Sequence, residues 1–312
     1  MTEIILHHYP MSPFAEKIRL IMGYKKLRWN SVTIPPIMPK PDVIALTGGY
    51  RKTPVLQIGA DIYCDTVLIA RVLEEIKNSP TLYPTRNAIA SNAAAAWADQ
   101  NLFVASVVWA SQPEGAKVLF GHLNEEQLQA FRADRAAFRK GPALRPNLAE
   151  AKVLLIDTLQ KMETQFETGA KFIMGDGPSI TDFSYYHGLW FILRAGPAAD
   201  IFDRYPRVHD WFGRMKAFGH GESQDMSSAD AIAVAKNSDA MGDQVGAMEL
   251  PEGIAIGDKV SVMAADYGQE ASVGELVLAR VNEIAIRRTD ERAGTVVVHF
   301  PRTGFHIAKS ES

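Results

Sequence analysis

Apolar and polar positions over the first eighty residues follow two periods in turn, which predicts alternating strands and helices. Residues 4–9 indicate a short strand, and residues 18–22 carry apolar side chains at the spacing of one helical face. Residues 53–58 and 61–64 predict two strands joined by a tight turn, and an amphipathic helix pattern follows them. This order of elements predicts a small α/β domain over residues 1–80.

The pattern becomes purely helical between residues 87 and 223, after a short segment with two prolines. Residues 148–166 carry apolar side chains on one face, and residues 183–193 are apolar nearly all round, which indicates a central buried helix. Ser179 and Asp182 precede that helix with the spacing of a capping box, with Asp in place of Glu. We therefore predict an all-helical second domain over residues 87–223.

A third region is expected beyond the helical one. Residues 224–256 indicate a linker that contains a short helix, and the pattern then becomes that of strands. Five strand patterns follow at short spacing, at residues 260–263, 275–278, 283–287, 295–300 and 304–307. Such spacing is typical of a small antiparallel barrel, and we predict an SH3-like all-β barrel over residues 257–312.

Composition narrows the class of protein. The 312-residue chain has 33 basic and 36 acidic side chains, so its net charge of −3 gives no general electrostatic reason to expect nucleic acid or an anionic membrane. No apolar run reaches the ~20 residues of a membrane span, and the first residues lack the pattern of a secretory signal. The single cysteine, Cys64, excludes an intrachain disulfide and a CxxC redox or zinc site. We expect a cytoplasmic protein with no metal.

The junction between the first strand and the first helix is the first candidate for chemistry. Ser12 and Pro13 have the residue types preferred at the N-cap and at the first position of a helix. A helix N-terminus exposes unpaired N–H groups and about half a positive charge, so it suits an anion. Ser12 would place a hydroxyl donor there. A role as an N-cap alone is the alternative.

Two further segments could hold the ends of a peptide ligand. In Thr53-Pro54-Val55 a proline enters a strand, and a cis bond there would turn neighbouring backbone groups toward an extended peptide. Asp65-Thr66 precedes a helix and could hold an ammonium and a carboxylate, while Lys52 could pair with a second carboxylate. Purely structural roles are the alternatives: an architectural cis-proline, a helix cap and a solvated charge.

Together these features resemble the glutathione transferase family. Ser12-Pro13-Phe14-Ala15-Glu16 is similar to the first-helix motif of the omega class, which has Cys-Pro-Phe-Ala-Glu. Thr53-Pro54-Val55-Leu56 resembles the cis-proline segment of the family, Asp65-Thr66 its acidic residue–serine pair, and residues 175–182 the capping-box helix start of its second domain. The resemblance implies a thioredoxin-like N-terminal domain and an all-α C-terminal domain, and it ends before residue 257.

The resemblance also implies glutathione as co-substrate and assigns roles to individual residues. Ser12 would hydrogen-bond the glutathione sulfur, and Tyr9, at the end of the first strand, is its rival for that role. The backbone of Val55 would pair with the cysteinyl part, Asp65 and Thr66 would hold the γ-glutamyl end, and Lys52 would hold the glycine carboxylate. The residues expected to bind glutathione are thus Lys52, Thr53, Pro54, Val55, Asp65 and Thr66.

One departure from the omega pattern bears on the reaction. Ser12 cannot form the mixed disulfide that a cysteine forms, which points to conjugation of the glutathione thiolate to a small electrophile. Isomerisation and dehalogenation use the same site and stay open. The resemblance further implies a homodimer. An alternative of a different class is a catalytically weak or inactive protein that keeps this fold and acts as a binding or scaffold module through its C-terminal barrel.

Overall fold

The computed structural model describes residues 3–140, 145–240 and 250–310. The strands in these ranges are β1 (Ile5–His8), β2 (Arg28–Thr33), β3 (Val55–Ile58), β4 (Asp61–Cys64), β5 (Glu222–Asp225), β6 (Lys259–Ala264), β7 (Ser272–Ala279), β8 (Glu283–Asp290), β9 (Gly294–Pro301) and β10 (Phe305–Lys309). The helices are α1 (Pro13–Tyr24), α2 (Pro41–Thr47), α3 (Thr66–Ile76), α4 (Ala88–Trp97), α5 (Phe103–Ala110), α6 (Pro113–Phe120), α7 (Glu125–Phe138), α8 (Leu148–Glu167), α9 (Ile180–Leu193), α10 (Pro206–Lys216) and α11 (Ser228–Lys236).

The N-terminal unit is a thioredoxin-like sheet of four strands in the order β4-β3-β1-β2. Strand β1 is parallel to β2 and antiparallel to β3, which is antiparallel to β4. This confirms the predicted α/β unit and adds β2 and α2, which the sequence did not predict. Only Trp29 and Val32 are buried in β2, and they are three residues apart, so the alternation that marks a half-buried strand is lacking.

The helical unit confirms the all-α prediction for the second domain. Its central helix, α9, is buried along most of its length and begins with the capping box of Ser179 and Asp182. The carboxylate of Asp182 also accepts from the indole N–H of Trp211 in α10 at 3.0 Å, so it joins two helices. Between α4 and α5 the chain forms a π-helical segment, Ala98–Leu102. No helix of the described residues is long and apolar enough to cross a membrane.

All five predicted C-terminal strands are present, which confirms an all-β region after the helical unit. They are antiparallel neighbours in the order β10-β6-β7-β8-β9, so the last strand pairs with the first. This β region is also continuous with the N-terminal sheet, because β9 pairs in parallel with β4, with Ile62 opposite Val298. Both residues belong to one buried core. A pairing between strands so far apart in the chain leaves no local signal in the sequence.

The segment predicted as a linker contains ordered structure. The polar residues at its boundary with the predicted helical domain form β5, an exposed strand parallel to β2 at the outer edge of the sheet. The backbone N–H of Glu222 donates to the Leu27 carbonyl at 2.9 Å, and its carboxylate pairs with Arg28 at 2.6 Å. The predicted short helix is α11, whose Ala231 carbonyl accepts from the Gln57 side chain at 2.8 Å. The domain boundaries themselves stay a prediction.

Candidate functional site

Three chain segments meet at the end of the N-terminal sheet where β1 and β4 finish and β3 begins. Ser12 follows β1, Pro54 precedes β3, and Asp65 follows β4. Because β3 is antiparallel to both of its neighbours, Val55 at its start lies opposite residues near the carboxyl ends of β1 and β4. The topology therefore brings the three predicted site segments side by side.

Ser12 occupies the N-cap of α1, with Pro13 at the first helical position. Its side-chain oxygen accepts the Ala15 backbone N–H at 3.2 Å, and the residue is only 3% exposed. The hydroxyl also has a hydrogen to donate, and none of the described residues accepts it. A thiolate placed at the start of α1 would accept this hydrogen in the positive field of the helix N-terminus.

Tyr9 lies three residues earlier, with its ring directed toward a different group. Its carbonyl accepts from the Ser12 backbone N–H at 3.1 Å, while its ring centroid is 5.7 Å from Lys40 Nζ. The ring packs against the core that α2 shares with the C-terminal strands. Ser12, and not the ring of Tyr9, therefore lies at the N-terminus of α1.

The Thr53–Pro54 peptide bond is cis, as predicted. Val55 lies inside the sheet with a strand on each side, whereas Thr53 stands outside it. The Thr53 hydroxyl accepts from Lys40 Nζ at 3.1 Å. Lys40 is buried, and burial lowers the pKa of its ammonium group to about 8. Lys40 could not be recognised from the sequence, because its burial depends on the folded segments around it.

Asp65 is the N-cap of α3, and its carboxylate accepts the Val67 backbone N–H at 2.9 Å. Its φ of +72° lies in the left-handed region, which costs a residue other than glycine ~1–3 kcal/mol. Burial raises the pKa of its carboxyl group, against the opposing effects of the Val67 N–H, Lys52 and Lys17. Thr66 follows as the buried first residue of the helix.

A charged cluster that the sequence analysis did not single out lies close to Asp65. Lys17 of α1 contacts Asp99 at 2.6 Å, and His187 of α9 contacts the other oxygen of Asp99 at 3.0 Å. Burial raises the pKa of Asp99, but Lys17 and His187 outweigh it and lower that pKa to about 2. Burial lowers the pKa of His187, so the neutral imidazole donates a hydrogen bond to an ionised carboxylate.

Lys52 has a protein partner from the C-terminal β region. Its ammonium group lies 2.6 Å from the carboxylate of Asp266 and 4.1 Å from the ring centroid of Tyr267. Lys52 is predicted to bind the glycine carboxylate of glutathione. In the structure, the carboxylate of Asp266 makes this kind of contact with Lys52. Asp266 is more than two hundred residues away in the chain, and no local motif predicts the pairing.

Comparison with known proteins establishes the family. The glutathione S-transferase N-terminal domain matches residues 6–81, and the glutathione S-transferase C-terminal domain matches residues 145–214. A GST-like protein from Pseudomonas syringae with a crystal structure is 45% identical, over 99% of this chain and 100% of that one, with a TM-score of 0.84. The chain therefore belongs to the glutathione S-transferase family.

More distant structures share the fold over a smaller part of the chain. A glutathione S-transferase from Rhodospirillum rubrum F11 is 18% identical over 69% of this chain and 88% of that one, with a TM-score of 0.53. The β-etherase LigF from Sphingobium sp. strain SYK-6 is 16% identical over 70% of this chain and 96% of that one, with a TM-score of 0.50. No curated protein matches the sequence. The Pseudomonas syringae similarity, by contrast, extends through the C-terminal strands.

Proposed function

We propose that this protein is a glutathione-dependent transferase that joins the glutathione sulfur to a small electrophile. The observation that carries the proposal is the hydroxyl of Ser12 at the N-terminus of α1, with a hydrogen that no described residue accepts. The homodimer and the cytoplasmic location expected from the sequence belong to the same proposal, as does the choice of Ser12 over Tyr9.

The remaining segments suit the ends of the glutathione molecule. The carboxyl of Asp65 has its pKa raised by burial, and a γ-glutamyl ammonium group beside it would favour the ionised form. Thr66 opens α3, where backbone N–H groups would bind the γ-glutamyl carboxylate. Thr53 stands before the strand and is better placed than Val55 to present its backbone to the cysteinyl part.

The chemistry needs a thiol that is ionised at neutral pH. Lowering a thiol pKa from ~8.5 to ~6.5 requires about 2.7 kcal/mol. A hydrogen bond to a charged group supplies ~1.5–3 kcal/mol, and a helix N-terminus adds ~0.3–1 kcal/mol, or up to ~2 when partly buried. The thiol would release its proton to water. The sulfur would then form a bond to an electrophilic carbon, and the leaving group would depart with its bonding electrons.

Aromatic side chains next to Ser12 would line the electrophile site. The ring of Phe14, two residues beyond Ser12, lies 4.6 Å from the ring of Phe103 in α5. It also lies 4.5 Å from the His187 imidazole in α9, so it packs between the thioredoxin-like and helical units. A site lined by these rings favours an electrophile with an apolar or aromatic group.

The test is a comparison of Ser12→Ala with a matched cap variant, Ser227→Ala. Ser227 caps α11 by accepting the Asp230 backbone N–H at 3.1 Å, so both variants lose the same kind of cap. Titration calorimetry with reduced glutathione and the ultraviolet thiolate absorbance of the complex are measured for each. Ser12→Ala should lower the thiolate fraction and the conjugation rate about tenfold or more at neutral pH.

Ser227→Ala should leave both quantities at the wild-type level. Unchanged thiolate absorbance and turnover in Ser12→Ala would contradict the role of Ser12. Failure of the wild-type protein to bind glutathione at millimolar concentration would contradict the transferase proposal, and the binding or scaffold alternative would then deserve the next experiments.

A further inference from the structure

The end of the site near Lys52 is built partly by the C-terminal β region. The loop between β6 and β7 places the Asp266 carboxylate 2.6 Å from Lys52 Nζ and the Tyr267 ring beneath the same ammonium group. The Lys52 side chain is only 11% exposed, whereas that of Asp266 is 45% exposed. The positive charge of Lys52 is therefore already matched by a carboxylate that water and ligands can reach.

The side chains of Arg51 and Lys40, which lie beside this segment, also contact other groups of the protein. Arg51 contacts the carboxylates of Asp134 and Glu270, each at 3.2 Å. Lys40 donates to the Thr53 hydroxyl at 3.1 Å and to the Arg51 carbonyl at 3.3 Å. Arg51, like Lys52, is therefore paired with carboxylates of the protein, whereas Lys40 donates to neutral oxygen atoms.

The position of Asp266 is fixed by the packing of its loop. The Tyr267 ring meets the Phe138 ring edge-on at 5.2 Å, and the Gly268 backbone N–H donates to the Phe138 carbonyl at 3.0 Å. Gly268 has a φ of +61°, and a Cβ at this position would lie 2.6 Å from a ring carbon of Phe138. At the far end of the loop, a Cβ on Gly49 would lie 2.1 Å from the Ala271 carbonyl oxygen. The loop thus sits in close contact with both α7 and the segment before β3.

We propose that Asp266 is a specificity-determining residue that removes the preference of the glutathione site for a free glycine carboxylate. This inference rests on the proposed function. A glycine carboxylate would have to compete with Asp266 for Lys52 and would be repelled by it. A γ-glutamylcysteinyl thiol whose third residue ends in a neutral ester or amide meets neither obstacle. The site therefore accepts glutathione derivatives with a neutral carboxyl terminus as well as glutathione itself.

The experiment compares two ligands and three proteins. Reduced glutathione and its glycine monoethyl ester are titrated by calorimetry into the full-length wild type, Asp266→Asn and Glu275→Gln. Glu275 is a matched control because it pairs with Arg287 in the same β region and its side chain is 49% exposed. The wild type should bind both ligands with affinities within about twofold of each other. Asp266→Asn should bind glutathione about three- to tenfold more tightly and leave the ester unchanged.

Glu275→Gln should behave as the wild type with both ligands. A wild-type preference for glutathione over the ester of about tenfold or more would overturn the inference. Saturable binding with the same ratio of affinities in Asp266→Asn and the wild type would overturn it as well, while leaving the proposed function intact. Absence of binding of either ligand to all three proteins would instead defeat the proposed function and the inference with it.

Discussion

At the scale of single residues, Asp65 combines an unusual backbone conformation with a carboxylate that burial disfavours. Its φ of +72° is adopted at a cost of ~1–3 kcal/mol, and such conformations cluster at binding sites. Burial raises the pKa of its carboxyl group, and only part of that effect is offset by the Val67 N–H, Lys52 and Lys17. A ligand ammonium group would complete the stabilisation of the ionised form.

We therefore expect glutathione binding to weaken as the pH falls through the pKa of Asp65. The sign follows from linkage: a ligand cation lowers that pKa, so the ligand binds the ionised form more tightly than the protonated one. Titration calorimetry between about pH 7.5 and 4.5 would measure the affinity of the wild type and of Asp65→Asn. The variant should bind about tenfold more weakly at the upper pH and should lose the pH dependence that is due to Asp65. Equal pH slopes in the two proteins would contradict this role.

Residues that act through their immediate neighbours in sequence were the predictable part of the candidate site. The cap positions of Ser12 and Asp65 follow from residue types that favour a helix start, and both side chains cap as expected. Lys40 and Asp99 were missed because their charges matter only once they are buried against distant segments. A buried cation or carboxylate looks like a surface charge when it is seen in the sequence alone.

At the scale of elements, the π-helical segment between α4 and α5 places Asp99 between the two units of the molecule. The carboxylate contacts Lys17 of α1 on one side and His187 of α9 on the other. Lys17 is 1% exposed, so its charge depends on Asp99 for compensation. The π-helical turn, which is often found at functional positions, thus supports a junction between the thioredoxin-like and helical units.

Asp99→Asn should destabilise the protein by about 3–5 kcal/mol, because it leaves the Lys17 ammonium buried without a counter-charge. Asp157→Asn is the matched control, since it breaks an exposed pair with Lys161 at 2.6 Å and should cost less than about 1 kcal/mol. Urea unfolding measures the stability of both variants.

The folded pKa of Asp99, about 2, lies below its ordinary value of 3.8. The contribution of Asp99 to stability is therefore present above pH 3.8 and is lost as the pH falls toward 2. An Asp99→Asn variant that is no less stable than Asp157→Asn would contradict this assignment.

Most of the elements that the sequence predicted have a clear apolar period. Strand β5 consists of four exposed polar residues and exists because β2 offers it a backbone edge. Helix α7 has a capping box but no fully buried residue, so it lacks the apolar face by which a helix is recognised. Elements of this kind are specified by their partners in the fold and not by their own sequence.

At the scale of the whole molecule, the pairing of β4 with β9 joins the N-terminal sheet and the C-terminal β region into one sheet, and we call this junction the seam. His299 of β9 lies at this seam, with Nδ1 2.6 Å from Glu283 and Nε2 3.1 Å from Asp61. The ring of Tyr63 in β4 stacks on the imidazole at 4.4 Å. The strand patterns predicted β4 and β9 separately, but their pairing depends on side chains from three segments of the chain.

The protonation of His299 should therefore couple the stability of the seam to pH. Burial alone would lower the pKa of its imidazole, but the hydrogen bonds and charges of Asp61 and Glu283 outweigh burial and raise that pKa above the ordinary 6.5. Because the folded pKa is the higher one, the contribution of His299 is full below pH 6.5 and is lost as the pH rises through the folded pKa.

His299→Gln keeps a polar side chain at the seam but cannot carry the charge, so its stability should fall less than that of the wild type over the same pH rise. Urea unfolding at intervals between about pH 6 and 9 would show the two stability curves converging by about 1–3 kcal/mol, the usual strength of hydrogen bonds to charged groups. Burial lowers the pKa values of His7 and His8 from 6.5 to about 4. Their titration therefore changes stability below pH 6.5, and it does so equally in both proteins. Parallel curves would mean that a neutral imidazole holds the seam. Convergence would identify a charged histidine as the link between the glutathione transferase sheet and the β region that extends it.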